Sequence, residues 1–279
     1  MVLIREFRVL LPMTVEEYKI GQLYSVAETS KEVTGGGDGV EVLENKPYTR
    51  QKRGPSGEMV EESGQYTYKK YHLEHKVPGF IRALAPKGSL EVDEEAYNAY
   101  PYCCTVIKNP GYMKDKMELR IETWHIQDDG KQENVHQLPP EKLKDRDVQV
   151  IDIANDHISS SDYKESEDPS KFKSEKTGRG PLGKDWKETT KPLMCCYKLV
   201  TFNFQWWGLQ RRVESFVMRQ ERRLFTLFHR QVFCSIDRYH GMTMEDIRAI
   251  EDQTKAELDK GRCEGEVRGF SAAKDKDES

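Results

Sequence analysis

The chain of 279 residues lacks any run of the 18 or more uncharged apolar residues needed to cross a bilayer as a helix. Its amino terminus, MVLIREFRVLLPM, carries Arg5 and Arg8 inside the apolar stretch and has no small-residue cleavage site, so it reads as a strand rather than a signal peptide. Cysteine is sparse and oddly placed, with Cys103-Cys104, Cys195-Cys196, Cys234 and Cys263. Adjacent pairs suit neither disulfides nor the C-x2-C spacing of zinc sites, and a reduced, cytosolic protein without metal is expected. Surplus positive charge is also missing: 44 Lys+Arg against 48 Asp+Glu give a net charge of −4, which excludes a general nucleic-acid binder. Apolar residues make up only 36% and charged residues 33%, yet aromatics reach 10%, too many for a disordered chain. A solvated surface over a ring-lined interior follows.

What is present reads as α+β in one domain. Residues 2–12 form a strand that Pro12 ends, and Thr14 with Glu17 makes a capping box opening the helix TVEEYKIGQLYSVAETSK. The glycines of TGGGDGV close it ahead of a short strand, VEVLEN. Polar residues 49–64 are rich in breakers and read as a mobile surface loop. The runs GQYTYKKYHL, CCTVIKN, MELRIETWHI, VQVIDIA and CYKLVTFNFQW have strand character. VPGFIRALAP is expected as a short helical turn, and EVDEEAYNAYP as an acidic helical piece ended by Pro101. From Leu209 to Tyr239 apolar residues recur with helical period, and Thr243 and Asp246 cap a last helix, MEDIRAIEDQTKAELDK. One domain over 1–263 with a flexible tail at 264–279 is the expected organisation.

Several motifs point nowhere. Gly178-Arg179-Gly180-Pro181-Leu182-Gly183 spells G-x-G-x-x-G, but polar sequence precedes it and Pro181 interrupts any helix start, so it is a fixed loop and not a nucleotide site. His72 and His75 in HLEH would face opposite sides of a strand. No Ser, Cys or Asp sits in a recognisable nucleophile motif. Trp206-Trp207 is more informative, standing where a strand run ends and a long helix begins. It is either a loop plug packed on the domain or a pair of interfacial indoles. Six arginines between residues 209 and 230 (Arg211, Arg212, Arg219, Arg222, Arg223 and Arg230) against Glu214 and Glu221 give a local +4 beside it, which suits an anionic membrane surface.

At this point the chain resembles the class I phosphatidylinositol transfer proteins. The stretches that carry the resemblance are GQLYSVAE (21–28), TGGGDGVEVL (34–43), GQYTYKKYHL (64–73), NAYPYC (98–103), IETWH (121–125), DPSKFKSEKTGRGPLG (168–183), YKLVTFNFQWWGLQ (197–210) and ERRLFTLFHRQ (221–231). They span nearly the whole chain in family order. The resemblance implies a START-like helix-grip fold, with a curved antiparallel sheet and long helices enclosing one phospholipid. It further implies exchange of phosphatidylinositol and phosphatidylcholine between membranes, without catalysis and with no cofactor beyond the bound lipid.

Carried over position by position, Thr67, Lys69, Glu94 and Asn98 match the inositol-contacting residues, the first two sharing a strand face and the latter two expected on one helix face. Gln22, Thr105, Thr123 and Lys198 match the phosphate group, with Lys198 supplying positive charge. Cys103 matches a cavity-lining cysteine, or is a plain buried thiol. Glu251 matches a carboxylate of the late helix near the lipid or lid, or belongs to a solvated face. Trp206 and Trp207 match the membrane-docking pair, and Ser174 a regulatory phosphorylation position. The implied partners are phosphatidylinositol, phosphatidylcholine, a transiently contacted membrane surface and lipid kinases; the implied state is a cytoplasmic monomer. A lipid-sensing adaptor that presents phosphatidylinositol to a lipid kinase is the alternative, and an enzyme in a helix-grip fold a third. The chain departs from the family pattern in a longer 49–63 segment, a shorter stretch from Trp186 to Tyr197, Cys104 where Arg is common, Tyr97 where Trp is common, and its tail.

Overall fold

The computed structural model describes residues 2–35, 38–53, 58–73, 77, 82, 86 and 90–263. In chain order the elements are β1 (Leu3–Leu11), α1 (Val15–Val33), β2 (Gly39–Arg53), β3 (Met59–His72), β4 (Glu91–Ala99), β5 (Tyr102–Lys108), β6 (Met117–Ile126), α2 (Pro140–Leu143), β7 (Asp147–Ile151), α3 (Trp186–Thr189), β8 (Met194–Phe204), α4 (Gln210–Cys234), α5 (Ile236–Tyr239) and α6 (Met244–Cys263). The strands form one eight-stranded sheet in the order β2-β3-β4-β5-β6-β8-β1-β7. The expected α+β, START-like class holds, with one amendment: β7 runs parallel to β1, so the sheet is mixed. A crossover of such length between β1 and β7 permits the parallel pairing.

The chain divides into two compact units, Met1–Ser25 with Tyr100–Cys104 and Arg120–Ile247, and Val26–Ala99 with Thr105–Leu119 and Arg248–Ser279. In the first, α4 lies against β1 and β8. The long period read from 209 to 239 breaks at Ser235, whose N–H still reaches the Gln231 carbonyl before the chain turns into α5. Phe7, Val9, Leu11, Val200, Phe202 and Phe233 are fully buried there. The α1 cap is as expected: Thr14 N–H donates to Glu17 Oε2 at 2.8 Å and Glu17 N–H to Thr14 Oγ1 at 3.1 Å. Arg179, from the glycine loop, adds two bonds of 2.9 Å to the same carboxylate. Burial alone would raise the Glu17 carboxyl, but these bonds outweigh it and hold it below the usual carboxylate range. The loop is fixed, as expected: a Cβ on Gly180 would sit 2.3 Å from the Phe172 carbonyl oxygen, and φ there is +83°.

The second unit corrects two expectations. Within residues 49–64, 49–53 and 59–64 are not loop but the outer part of long paired strands, β2 and β3, in register from Gly39 opposite His72 to Arg53 opposite Met59. Polarity misled the reading, because the charged residues here pair across strands. Glu62 accepts from Tyr48 Oη and Arg50 Nε, both at 2.8 Å, and from Lys52 Nζ at 3.0 Å. EVDEEAYNA is strand β4 and not a helix. Its acidic side chains find partners on β3, such as Asp93 with Tyr68 Oη at 2.6 Å and with Lys70 Nζ at 2.8 Å, and that pairing overrides its helical propensity. Two departures from the family pattern meet here, since Arg50 of the lengthened hairpin lies 3.8 Å above the Tyr97 ring. VPGFIRALAP, His75 and the 264–279 tail lie outside the described residues, apart from Val77, Arg82 and Pro86.

Candidate functional site

In the second unit, Thr67 and Lys69 alternate on β3 and therefore share a face. β4 pairs with it in antiparallel register, Lys69 opposite Glu94, Thr67 opposite Ala96 and Gln65 opposite Asn98. Directly paired residues project to the same side of a sheet, so Thr67, Lys69, Glu94 and Asn98 form one cross-strand patch. The shared face expected for Glu94 and Asn98 is right, for another reason: spacing by four also returns to the same side of a strand. Gly64 allows the strands to close, because a Cβ there would stand 2.2 Å from the Asn98 carbonyl oxygen.

Inside this patch charge is balanced. Lys69 Nζ lies 3.2 Å from Glu94 Oε1, and Tyr71 Oη donates to Glu94 Oε2 at 2.9 Å. Asn45, opposite Thr67 on β2, accepts from Gln65 Nε2 at 2.6 Å and donates to Glu251 Oε2 at 2.8 Å. Arg248 Nη1 holds the same Glu251 oxygen at 2.5 Å. Glu251 is thereby placed on α6 beside the β2–β3 face, while Thr67 and Asn98 make no side-chain hydrogen bond among the described residues. A row of half-buried hydroxyl, amide, ammonium and carboxylate groups is suited to a polyol, which donates and accepts at every carbon.

The first unit presents a different arrangement. On β5 and β6, Cys103 and Thr123 lie on one side, while Tyr102 donates to Glu122 at 2.6 Å and Arg120 approaches Cys104 Sγ at 3.6 Å on the other. Thr105, counted with the second unit, follows Cys103 by two residues on β5 and so shares that side of the strand. Lys198, on β8 opposite Phe7, is 7% exposed. Its Nζ lies 5.0 Å from the centre of the Phe225 ring, and among the described residues it has no carboxylate or other hydrogen-bond acceptor. Gln22 of α1 accepts from Tyr100 Oη, and the Tyr100 ring stacks on His125 with centroids 4.7 Å apart. Tyr18 donates to His229 Nε2 at 2.9 Å, since His229 Nδ1 is committed to the Phe225 carbonyl at 2.6 Å. Burial first, and the Lys198 charge second, push His125 down to about 3 and lower His229 well below the ordinary histidine value. This interior is thus neutral apart from one uncompensated cation, which an anionic phosphate would complete.

The family model for phosphatidylinositol transfer proteins matches residues 2–256. The chain belongs to this family. It is 55% identical to the phosphatidylinositol transfer protein beta isoform of Bos taurus, over 98% of this chain and 99% of the relative. Phosphatidylinositol transfer protein 1 of Dictyostelium discoideum is 52% identical over 92% of this chain and 95% of its own length. The cytoplasmic phosphatidylinositol transfer protein 1 of Drosophila melanogaster is 46% identical over 92% and 90% respectively.

For a member of the phosphatidylinositol transfer protein family, the remaining expected residues fall unevenly. The two indoles split at the turn after β8: Trp206 stacks on Phe204 with centroids 6.3 Å apart, whereas Trp207 is 98% exposed next to Gly208. The expected local +4 is largely spent within the fold. Arg222 pairs with Asp156 at 2.7 Å, Arg223 with Asp162 at 2.5 Å and Arg230 with Asp168 at 3.3 Å, all carboxylates outside the 209–230 window that counting overlooked. Arg211, Arg212 and Arg219 are the exposed ones. Ser174 is buried, its hydroxyl donating to Asp237 Oδ1 at 2.5 Å and accepting from Thr177. Sequence reasoning missed Asn45, Gln65, Tyr18, Tyr100 and His125. The pairing register supplies the first two, and only three-dimensional packing supplies the rest. Among the described residues no group of three or more His, Cys, Asp or Glu could hold a metal.

Proposed function

We propose that this chain binds one phosphatidylinositol or phosphatidylcholine molecule and exchanges it between membranes, in support of phosphoinositide signalling and without chemistry on the lipid. Lys198 carries the reading: a buried ammonium without a counter-anion among the described residues has the charge that a phosphodiester supplies. Gln22, Thr105 and Thr123 accompany it as phosphate ligands, and Cys103 lines the acyl path. Thr67, Lys69, Glu94 and Asn98 take the inositol ring, with Glu251 holding the late helix over them through Asn45. Transfer needs such a carrier because two acyl chains of about 30 methylenes, at about 0.8 kcal/mol each, cost roughly 20–25 kcal/mol to expose to water.

Trp206 and Trp207 dock on the membrane, which the exposure of Trp207 and of Arg211, Arg212 and Arg219 supports. The protein works as a cytoplasmic monomer that touches membranes transiently. Phosphorylation at Ser174 requires release from Asp237, since a phosphate there would face a carboxylate. Mass spectrometry of the purified protein after incubation with mixed vesicles tests the carrier reading: intact phosphatidylinositol or phosphatidylcholine is expected, and a modified lipid would overturn it. Slow transfer with strong stimulation of a lipid kinase would instead favour presentation to that kinase. Replacing Trp206 and Trp207 together by Ala should weaken vesicle binding without unfolding the domain, and unchanged vesicle binding would refute docking.

A further inference from the structure

His125 is buried in the first unit and has one nitrogen without a partner among the described residues. It is 2% exposed, and its ring lies between Tyr18, at 5.1 Å between centroids, and Tyr100, at 4.7 Å. Nδ1 sits 2.9 Å from the Pro101 carbonyl oxygen, which accepts only from an N–H, so the neutral ring carries its proton there. Nε2 is then a bare lone pair, buried and without a partner among the described residues. A buried, unsatisfied polar atom costs about 1–3 kcal/mol, and such atoms commonly mark a ligand position.

The residues around it are those assigned to the phosphate. Thr123 lies two positions earlier on the same side of β6, and Tyr100 links the ring to Gln22. Lys198 on β8 is close enough for its charge to act on the imidazole. The other titratable groups packed here are Tyr18 on α1, His229 on α4, and Cys196 and Cys103 on β8 and β5. Burial keeps Tyr18, Tyr100 and Cys196 protonated, and burial and Lys198 keep His229 neutral, so none of these four supplies an anion.

We propose that His125 is a further phosphate-binding residue, which takes up a proton from solvent at Nε2 when a phospholipid enters and donates that N–H to a non-bridging phosphodiester oxygen. The inference rests on the carrier reading above. A phosphodiester anion neutralises Lys198, removing one of the two causes that keep the ring neutral, and offers Nε2–H a charged acceptor. His125 therefore holds its proton more tightly in the loaded protein than in the empty one. By linkage, lipid affinity rises as pH falls through the loaded-state value.

The test uses the full chain with 15N-labelled histidine, delipidated or loaded from phosphatidylcholine vesicles, with bound lipid counted by mass spectrometry. Long-range proton–nitrogen spectra between about pH 4 and 8 report each ring nitrogen, and His125 is identified through its contacts with Tyr18 and Tyr100. Nε2 is expected to stay unprotonated in the empty protein and to gain a proton in the loaded one. The midpoint should rise by about two pH units, a roughly hundredfold change in proton affinity. Lipid bound with Nε2 still unprotonated at the acid end overturns this inference alone. Absence of bound lipid overturns the carrier reading and the inference with it. As a second readout, His125→Asn should hold phosphatidylcholine with a pH-independent affinity, whereas the parent binds about tenfold tighter at the acid end.

Discussion

The β2–β4 patch and the interior around Lys198 are both polar, but only the first is balanced. Lys69 has Glu94, Glu251 has Arg248 and Asn45, and Asn45 has Gln65. Among the described residues Lys198 has only the face of Phe225, and His125 Nε2 has no partner. A ligand at the first region replaces bonds that already exist, so its gain is a difference between similar terms. A ligand at the second supplies an absent charge. On the carrier reading proposed above, the balanced region is the one to discriminate between head groups, and the unbalanced one to hold what all phospholipids share.

The sharpest test of this contrast is Lys198→Met. It should weaken binding of phosphatidylinositol and phosphatidylcholine alike, by about 3 kcal/mol or roughly a hundredfold, while leaving the empty protein no less stable. A lipid-binding titration and a thermal melt of the delipidated chain measure the two arms. A loss confined to one lipid would break the contrast.

Lys69→Ala belongs to the other region and should act selectively. A fall of about tenfold in phosphatidylinositol transfer is expected, near 1.4 kcal/mol, with phosphatidylcholine transfer spared because choline has no ring hydroxyls. Vesicle-to-vesicle transfer of each labelled lipid decides it, and equal losses would sink the head-group assignment.

pH separates the regions again. His125 and His229 are buried neutral, with folded-state values lowered from the ordinary 6.5. A depressed histidine contributes stability that is complete above the unfolded value and declines as pH falls below it. The empty protein should therefore lose stability from about pH 6.5 downward, by up to about 1.4 kcal/mol per pH unit for each histidine. Urea unfolding across that range measures the slope, and His125→Gln should reduce it by one proton's worth. A flat profile would mean that the interior admits water.

The smallest effect is expected at Asn45→Ala, which removes the link between Gln65 and Glu251 without touching a charge pair. Loss of about 1 kcal/mol should appear as faster amide exchange along Met244–Cys263, with little change in global stability. Unaltered exchange would show that Arg248 alone fixes Glu251.

Legibility from sequence followed locality. The capping boxes at Thr14 and Thr243, strand β6 and the last helix depend on neighbours within a few residues, and they appear where the pattern put them. The same-face arrangement of Thr67 with Lys69 is a property of any strand. Residues 49–64 and EVDEEAYNA were misread because their stabilising partners, Tyr48 for Glu62 and Tyr68 for Asp93, are cross-strand and invisible to a window. The count of +4 near the tryptophans overstates the unpaired charge because Asp156, Asp162 and Asp168 lie far away in sequence.

Sequence alone determined the family, the α+β class and the residue types at the positions proposed for the head group, because identity over nearly the whole chain and alternation along strands are one-dimensional properties. Tertiary structure alone decided which charges are balanced. Lys69 and Lys198 are the same residue type on strands of one sheet. What distinguishes them is that Glu94 lies across a strand pair from one, while the other faces an aromatic ring and a neutral histidine. An electrostatic environment is set by every group within a few ångströms, and those groups come from elements that the chain brings together only by folding.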